Sequence, residues 1–218
     1  MKWARSFLRE WQECSKKFML PKALRSLVSE LSKFPGVGER TALRYTLHLL
    51  RSKNNQVQDL IRSLEEVNAA IGTCPTCFFW TEEARCPICE DTGRVSTKLC
   101  VVRDAPDVLA LEKFKKHPWK YHVLQGLLSP LSGRGPKQIR LDELIKRLSN
   151  EGYQECILAF DATLEGDATA LYIRQQISEL QMNVKISRTA LGLPAGSSVE
   201  YLDPSTLEHA LNHRFELS

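Results

Sequence analysis

Cys74-Pro-Thr-Cys77-Phe-Phe-Trp-Thr-Glu-Glu-Ala-Arg-Cys86-Pro-Ile-Cys89 is the stretch that decides how this 218-residue chain is organised. Each Cys-x-x-Cys pair bends the backbone so that two sulfurs converge on one centre. Two such pairs fill the four positions of a tetrahedral structural Zn²⁺. Pro75 and Pro87 pre-set φ in the two turns, and nearby amides can hydrogen-bond the sulfurs. Two disulfides or a redox dithiol are the competing readings. The chain holds seven cysteines, and the three left over (Cys14, Cys100 and Cys156) make the total odd, which fits a reducing interior and zinc better. With sulfur in all four positions none remains for water, so the ion, one per chain, is structural.

Working outward, the charge divides unevenly around this stretch. Residues 1–73 hold thirteen Lys/Arg against seven Asp/Glu, whereas residues 99–218 hold fourteen against fifteen. The surplus positive charge of the N-terminal third suits a polyanion, although a solvated basic face would look the same. The opening Met1-Lys-Trp-Ala-Arg-Ser-Phe-Leu-Arg-Glu is charged throughout, so no secretory signal is expected, and no apolar run is long enough for a bilayer. A cytoplasmic protein without a membrane partner is the expectation.

Upstream of the cysteines the period is helical. Trp3, Phe7, Leu8, Trp11, Phe18 and Leu20 predict an amphipathic helix over 3–20. Leu24, Leu27, Val28 and Leu31 predict a second from Pro21 to Lys33, and a further one runs through Leu60, Ile61, Leu64 and Val67 toward Ile71. Between them lies Pro35-Gly36-Val37-Gly38-Glu39-Arg40-Thr41-Ala42, with a helix starting at Leu43. Two glycines let the backbone turn with positive φ and leave the amides at the next helix start facing outward, a ready anion site. Lys33, Gly36, Gly38, Arg40 and Arg44 are the candidate phosphate-binding set; an ordinary αα-hairpin with a tight turn is the alternative.

Downstream the period changes. Leu99–Val102, Tyr121–Leu124, Glu155–Phe160 and Val184–Ser187 are short apolar runs, separated by helical patterns over 106–116, 141–148 and 167–180. That alternation predicts a mostly parallel sheet covered on both faces, with function at the strand C-termini. Asp161, Glu165 and Asp167 gather after the third strand. They could hold a divalent cation or simply complement a helix dipole. The fold class is therefore α/β in several parts: a helical region (1–73), a four-cysteine zinc loop (74–98), a parallel-sheet domain (99–188) and a C-terminal extension (189–218).

Taken together, Pro35-Gly-Val-Gly38, the two cysteine pairs, Cys100-Val-Val, Leu128-Ser-Pro-Leu-Ser-Gly-Arg-Gly-Pro136, Glu165-Gly-Asp-Ala-Thr169 and Gly192-Leu-Pro-Ala-Gly196 occur in an order that resembles the RecR family of bacterial recombination mediators. The resemblance covers roughly residues 21–217. It implies a helix-hairpin-helix module, zinc on Cys74, Cys77, Cys86 and Cys89, and a Toprim-like domain whose acids lie near a partner-binding surface. It further implies a non-enzymatic DNA-repair scaffold, dimeric or tetrameric, that works with RecO and RecF to help load RecA on gapped or single-stranded DNA. A Mg²⁺-dependent Toprim nuclease or primase-like enzyme using Asp161, Glu165 and Asp167 is the alternative. Toprim enzymes keep a glutamate just after the first strand, but here the residue is Arg103. A guanidinium cannot exchange a proton near neutral pH and repels Mg²⁺, which leaves that cation doubtful. Arg103 is expected to pair with Glu165 or Asp104.

Overall fold

The computed structural model describes residues 20–52, 54–113, 118–190, 193, 196–212 and 214. The chain divides into two compact units, residues 1–69 and 70–218. The amphipathic segment expected over 3–20 lies, apart from Leu20, outside the described residues.

In the first unit α1 (Lys22–Leu31) follows Pro21, and Ser32 closes it by donating from its hydroxyl to the Val28 carbonyl (2.8 Å). α2 (Glu39–Arg51) starts four residues before the Leu43 suggested by the apolar pattern. The reason lies in Gly38, which is extended (φ −78°) and acts as the N-cap, its carbonyl accepting the Ala42 amide (2.9 Å). Of the two glycines expected to turn with positive φ, Gly36 alone does so (φ +76°). Ala42 and Thr46, one turn apart, are fully buried on α2. α3 (Asn54–Ala70) carries the expected apolar residues, yet Leu64 and Val67 are 60% and 62% exposed.

The second unit opens with the antiparallel pair β1 (Gly72–Thr73) and β2 (Trp80–Thr81), followed by α4 (Pro87–Glu90). A four-stranded sheet follows, made of β3 (Val95–Val102), β4 (Trp119–Val123), β5 (Glu155–Ala159) and β6 (Lys185–Arg188) in the order β4-β3-β5-β6, with all neighbours parallel. β3 begins at Val95, so residues 95–98, expected in the zinc segment, already belong to the sheet. α5 (Ala105–Glu112), α6 (Leu141–Asn150) and α7 (Leu164–Glu179) connect the strands, and α8 (Pro204–Asn212) follows the last. α7 starts three residues before the expected Asp167 because Thr163 caps it, its hydroxyl accepting the Gly166 amide (3.2 Å).

Alternation along β3 sorts the core into two layers. Leu99 and Val101 join Leu141, Leu144, Leu158 and Ile173 on one face. Cys100 and Val102 join Val108, Tyr121, Val123 and the four cysteines Cys74, Cys77, Cys86 and Cys89 on the other. The cysteine loop is thus the cover of a sheet face that would otherwise meet water, and the strand buried on both sides is as the apolar run predicts. Three tethers hold the cover down. Val123 N–H donates to the Cys77 carbonyl (2.8 Å). Lys120 Nζ donates to the carbonyls of Cys89 (3.3 Å) and Asp91 (2.8 Å). Arg94 grips Glu112 bidentately (2.9 and 2.7 Å), and this holds the Glu112 carboxyl below its usual range.

His122 of β4 is completely buried. Its Nε2 donates to the Arg140 carbonyl (2.8 Å), while Nδ1 meets no partner among the described residues. Burial pushes its pKa down to about 4. The unfolded chain protonates the same imidazole near pH 6.5, so acid favours unfolding. Stability is fully present above pH 6.5 and falls as pH drops toward 4. The full loss is about 3 kcal/mol, since each tenfold change in proton affinity is worth roughly 1.4 kcal/mol. Urea titrations at about pH 7.5 and about pH 5 should show His122→Asn losing less stability on acidification than the parent.

Candidate metal centre and nucleic-acid interface

β1 delivers Cys74 and the turn beyond it Cys77. The chain reverses at Phe78, which takes φ +63°, with Phe78 N–H on the Cys74 carbonyl (2.9 Å) and Cys74 N–H on the Phe79 carbonyl (2.7 Å). Cys86 is the N-cap of α4 and Cys89 lies within it. The four sulfurs all fall within 4.8 Å of one another, and Cys77 and Cys86 approach to 3.3 Å. A tetrahedral ion with Zn–S bonds near 2.3 Å needs sulfur–sulfur edges of about 3.8 Å. Cys74, Cys77 and Cys86 are wholly buried and Cys89 is 8% exposed. Hydrogen bonds from the Cys77 and Cys89 thiols draw Cys86 down to about 2, and donating to Cys86 drives Cys77 far up. Burial opposes ionisation of Cys74, but backbone hydrogen bonds from Cys86, Cys77 and Thr76 outweigh it and lower its pKa. Four buried sulfurs competing for few protons is the condition that a divalent cation relieves, so the donor set fits zinc.

The hairpin of the first unit presents its candidate residues at one turn. Gly36 supplies the left-handed step, and the amides of Arg40 and Thr41 precede the first intrahelical bond of α2. Arg40 and Arg44 are exposed and lie four residues apart, hence on one face. Arg44 also rests over the Tyr45 ring (5.7 Å). Lys33 is paired with Glu30 (2.6 Å) at the end of α1.

At the C-terminal edge of the sheet β3 and β5 are neighbours, which brings Arg103 and Asp104 beside Asp161. Arg103 pairs with Asp161 (2.5 Å) and with Asp104 (3.0 Å), the second of the two expected partners; Glu165, the first, is not engaged by it. Glu165 accepts instead from the Ser129 hydroxyl (3.4 Å). Arg188, at the end of β6, pairs with Asp167 (2.6 Å) and donates to the Asp161 carbonyl (3.1 Å). The start of α7 presses on the strand end so closely that a Cβ on Gly166 would lie 2.0 Å from the Asp161 carbonyl oxygen. Sequence reasoning does not single out Arg188, Lys120 or Arg94. The position of Arg188 at a strand end beside the acids is the available signal.

Comparison with known proteins places each part. Family profiles match for the RecR helix-hairpin-helix (residues 24–68), the RecR four-cysteine zinc finger domain (71–91), the Toprim domain (97–190) and the RecR C-terminal region (192–214). The chain is 44% identical over 200 residues to the recombination protein RecR of Pelobacter propionicus, covering 90% of this chain and 98% of that one. It is 41% identical over 194 residues to RecR of Rippkaea orientalis, covering 89% and 97%. For RecR of Myxococcus xanthus the identity is 40% over 199 residues, covering 91% of this chain and 100% of that one. Fold and site thus define a zinc-binding protein with helix-hairpin-helix and Toprim parts. The chain belongs to the RecR family.

Because the Val123 amide is held by the Cys77 carbonyl, stripping the ion should loosen β4 as well as the loop. Hydrogen exchange with and without a chelator is expected to show faster exchange at Val123, while Cys156 and Leu158 in β5, whose side chains belong to the opposite layer, change little.

Proposed function

We propose that this protein is a DNA recombination and repair mediator that binds DNA as an oligomeric, clamp-like scaffold and catalyses no bond cleavage. In this reading it acts in the cytoplasm with RecO-like and RecF-like partners and helps load RecA on gapped or single-stranded DNA. One structural zinc per chain fixes the cysteine loop. The observation that carries the non-enzymatic part is the arginine pairing of Asp161 and Asp167. A Mg²⁺ ion would have to displace Arg103 and Arg188 from these carboxylates and then sit beside two guanidinium charges, so the residues do not fit the cation that a Toprim domain implies.

DNA binding is assigned to the hairpin, with backbone amides at the start of α2 and the side chains of Lys33, Arg40 and Arg44 meeting phosphates through shape and charge. The acidic edge with Asp161, Glu165 and Asp167 is assigned to partner docking. Self-association is supported by the apolar side chains that the first unit leaves open among the described residues, Leu50 (64%), Leu64 and Val67 among them. No described helix is long and apolar enough to cross a membrane.

Arg40→Ala combined with Arg44→Ala should weaken DNA binding and flatten its salt dependence by about 1.4–1.8 in log–log slope, from the loss of two phosphate contacts. Fluorescence anisotropy across a salt series measures it; parallel lines for parent and variant would remove the hairpin from the DNA interface. In the same preparations native mass spectrometry should give one Zn²⁺ per chain. Incubation of labelled DNA with Mg²⁺ should give no cleavage, and product that disappears in Asp167→Asn would establish an enzyme instead.

A further inference from the structure

The four zinc ligands are not equivalent. Cys74, Cys77 and Cys86 expose no surface, whereas Cys89 retains 8%. A cavity of about 540 Å³ reaches Cys89 and is bordered by Arg85, Lys120, Arg147, Glu151 and Tyr153. Arg147 is occupied within the wall, bonded to Glu151, the Tyr121 carbonyl and the Tyr153 hydroxyl. Its charge is offset by Glu151, which leaves Arg85 and Lys120 as the net positive charge at the opening. Lys120 bonds the carbonyls at the end of α4, so an ammonium is fixed beside the segment that carries Cys89.

From this geometry we infer that Cys89 is a modification site: the zinc-bound thiolate through which small polar electrophiles, hydroperoxides and anionic disulfides, enter the metal centre. A zinc centre with four thiolates carries a net charge of about −2 and keeps nucleophilic sulfur, so access and local charge decide which sulfur reacts. With hydrogen peroxide, Cys89 sulfur attacks one oxygen; the S–O bond forms, the O–O bond breaks and hydroxide leaves, taking a proton to become water. The positive cavity wall favours departure of that anion. A neighbouring ligand thiolate within 4.8 Å then attacks the sulfenic acid, the S–S bond forms and a second hydroxide leaves. Overall two thiolates, one peroxide and two protons give one disulfide and two waters, and Zn²⁺ departs with half its ligands gone. The sheet face then loses the cover that the ion held in place.

The inference rests on the cysteine cluster holding zinc, and the test separates the two. Purified protein is treated with substoichiometric hydrogen peroxide or with the dianion 5,5′-dithiobis(2-nitrobenzoate), zinc release is followed with a chromogenic chelator, and modified peptides are mapped. Cys89 should be the first of the four modified, with zinc released in step. Cys89→His keeps a four-ligand site and should slow the first phase about tenfold or more, whereas Cys74→His should not. Arg85→Gln should slow the dianionic reagent about two- to fivefold at low salt and leave a neutral disulfide unaffected. Another of the four ligand cysteines reacting first, or zinc leaving before Cys89 is modified, would overturn the proposal even if Cys89→His fails to fold. Parent protein that contains no zinc would overturn the zinc reading itself.

Discussion

Convergence of four cysteine sulfurs on one point is the constraint from which the second unit takes its form. A loop of this length has no apolar core of its own. It becomes a structural layer because the sulfurs close it and its inner side shares contacts with Cys100, Val102, Tyr121 and Val123. Most α/β sheets cover each face with helices. Here one face has α6 and α7, while the other has the single short helix α5 and the cysteine loop, so the ion substitutes for packing that a longer chain would supply.

The same layering explains where charge is tolerated. Arg94 and Arg147 are almost fully buried at the seams of this unit, each spread over a carboxylate, a carbonyl and an aromatic ring. Buried guanidinium groups are costly unless every donor finds a partner. Their planar forks let each reach partners on two different elements at once, a task for which a lysine has the wrong geometry. At the sheet edge Arg103 and Arg188 do the same at the surface, turning what composition reads as an acidic patch into alternating charge.

Much of this is legible in sequence. The cysteine spacing and the apolar runs of β3, β4 and β5 each carry a ligand geometry or a local period, and the elements fall where those put them. What sequence does not fix are the boundaries set by backbone conformation. Gly38 reads as a turn residue, yet it is extended and caps α2, which moves Arg40 into the first helical turn. Thr163 shifts α7 forward in the same way and carries Glu165 with it. The partner of Arg103 is equally out of reach. Asp104 is its chain neighbour, but Asp161 becomes one through strand order, and no local pattern states that β3 and β5 are adjacent.

The near-collision of Gly166 with Asp161 carries one more consequence. Because the helix start and the strand end have no slack between them, the backbone positions that carry Asp161 and Asp167 are set by steric exclusion. The alternating charges of Arg103, Asp161, Asp167 and Arg188 are thus carried on a backbone junction that cannot slide without a clash. An insertion or a larger residue at this junction would have to push the strand end and the helix start apart, and the charge pattern with them.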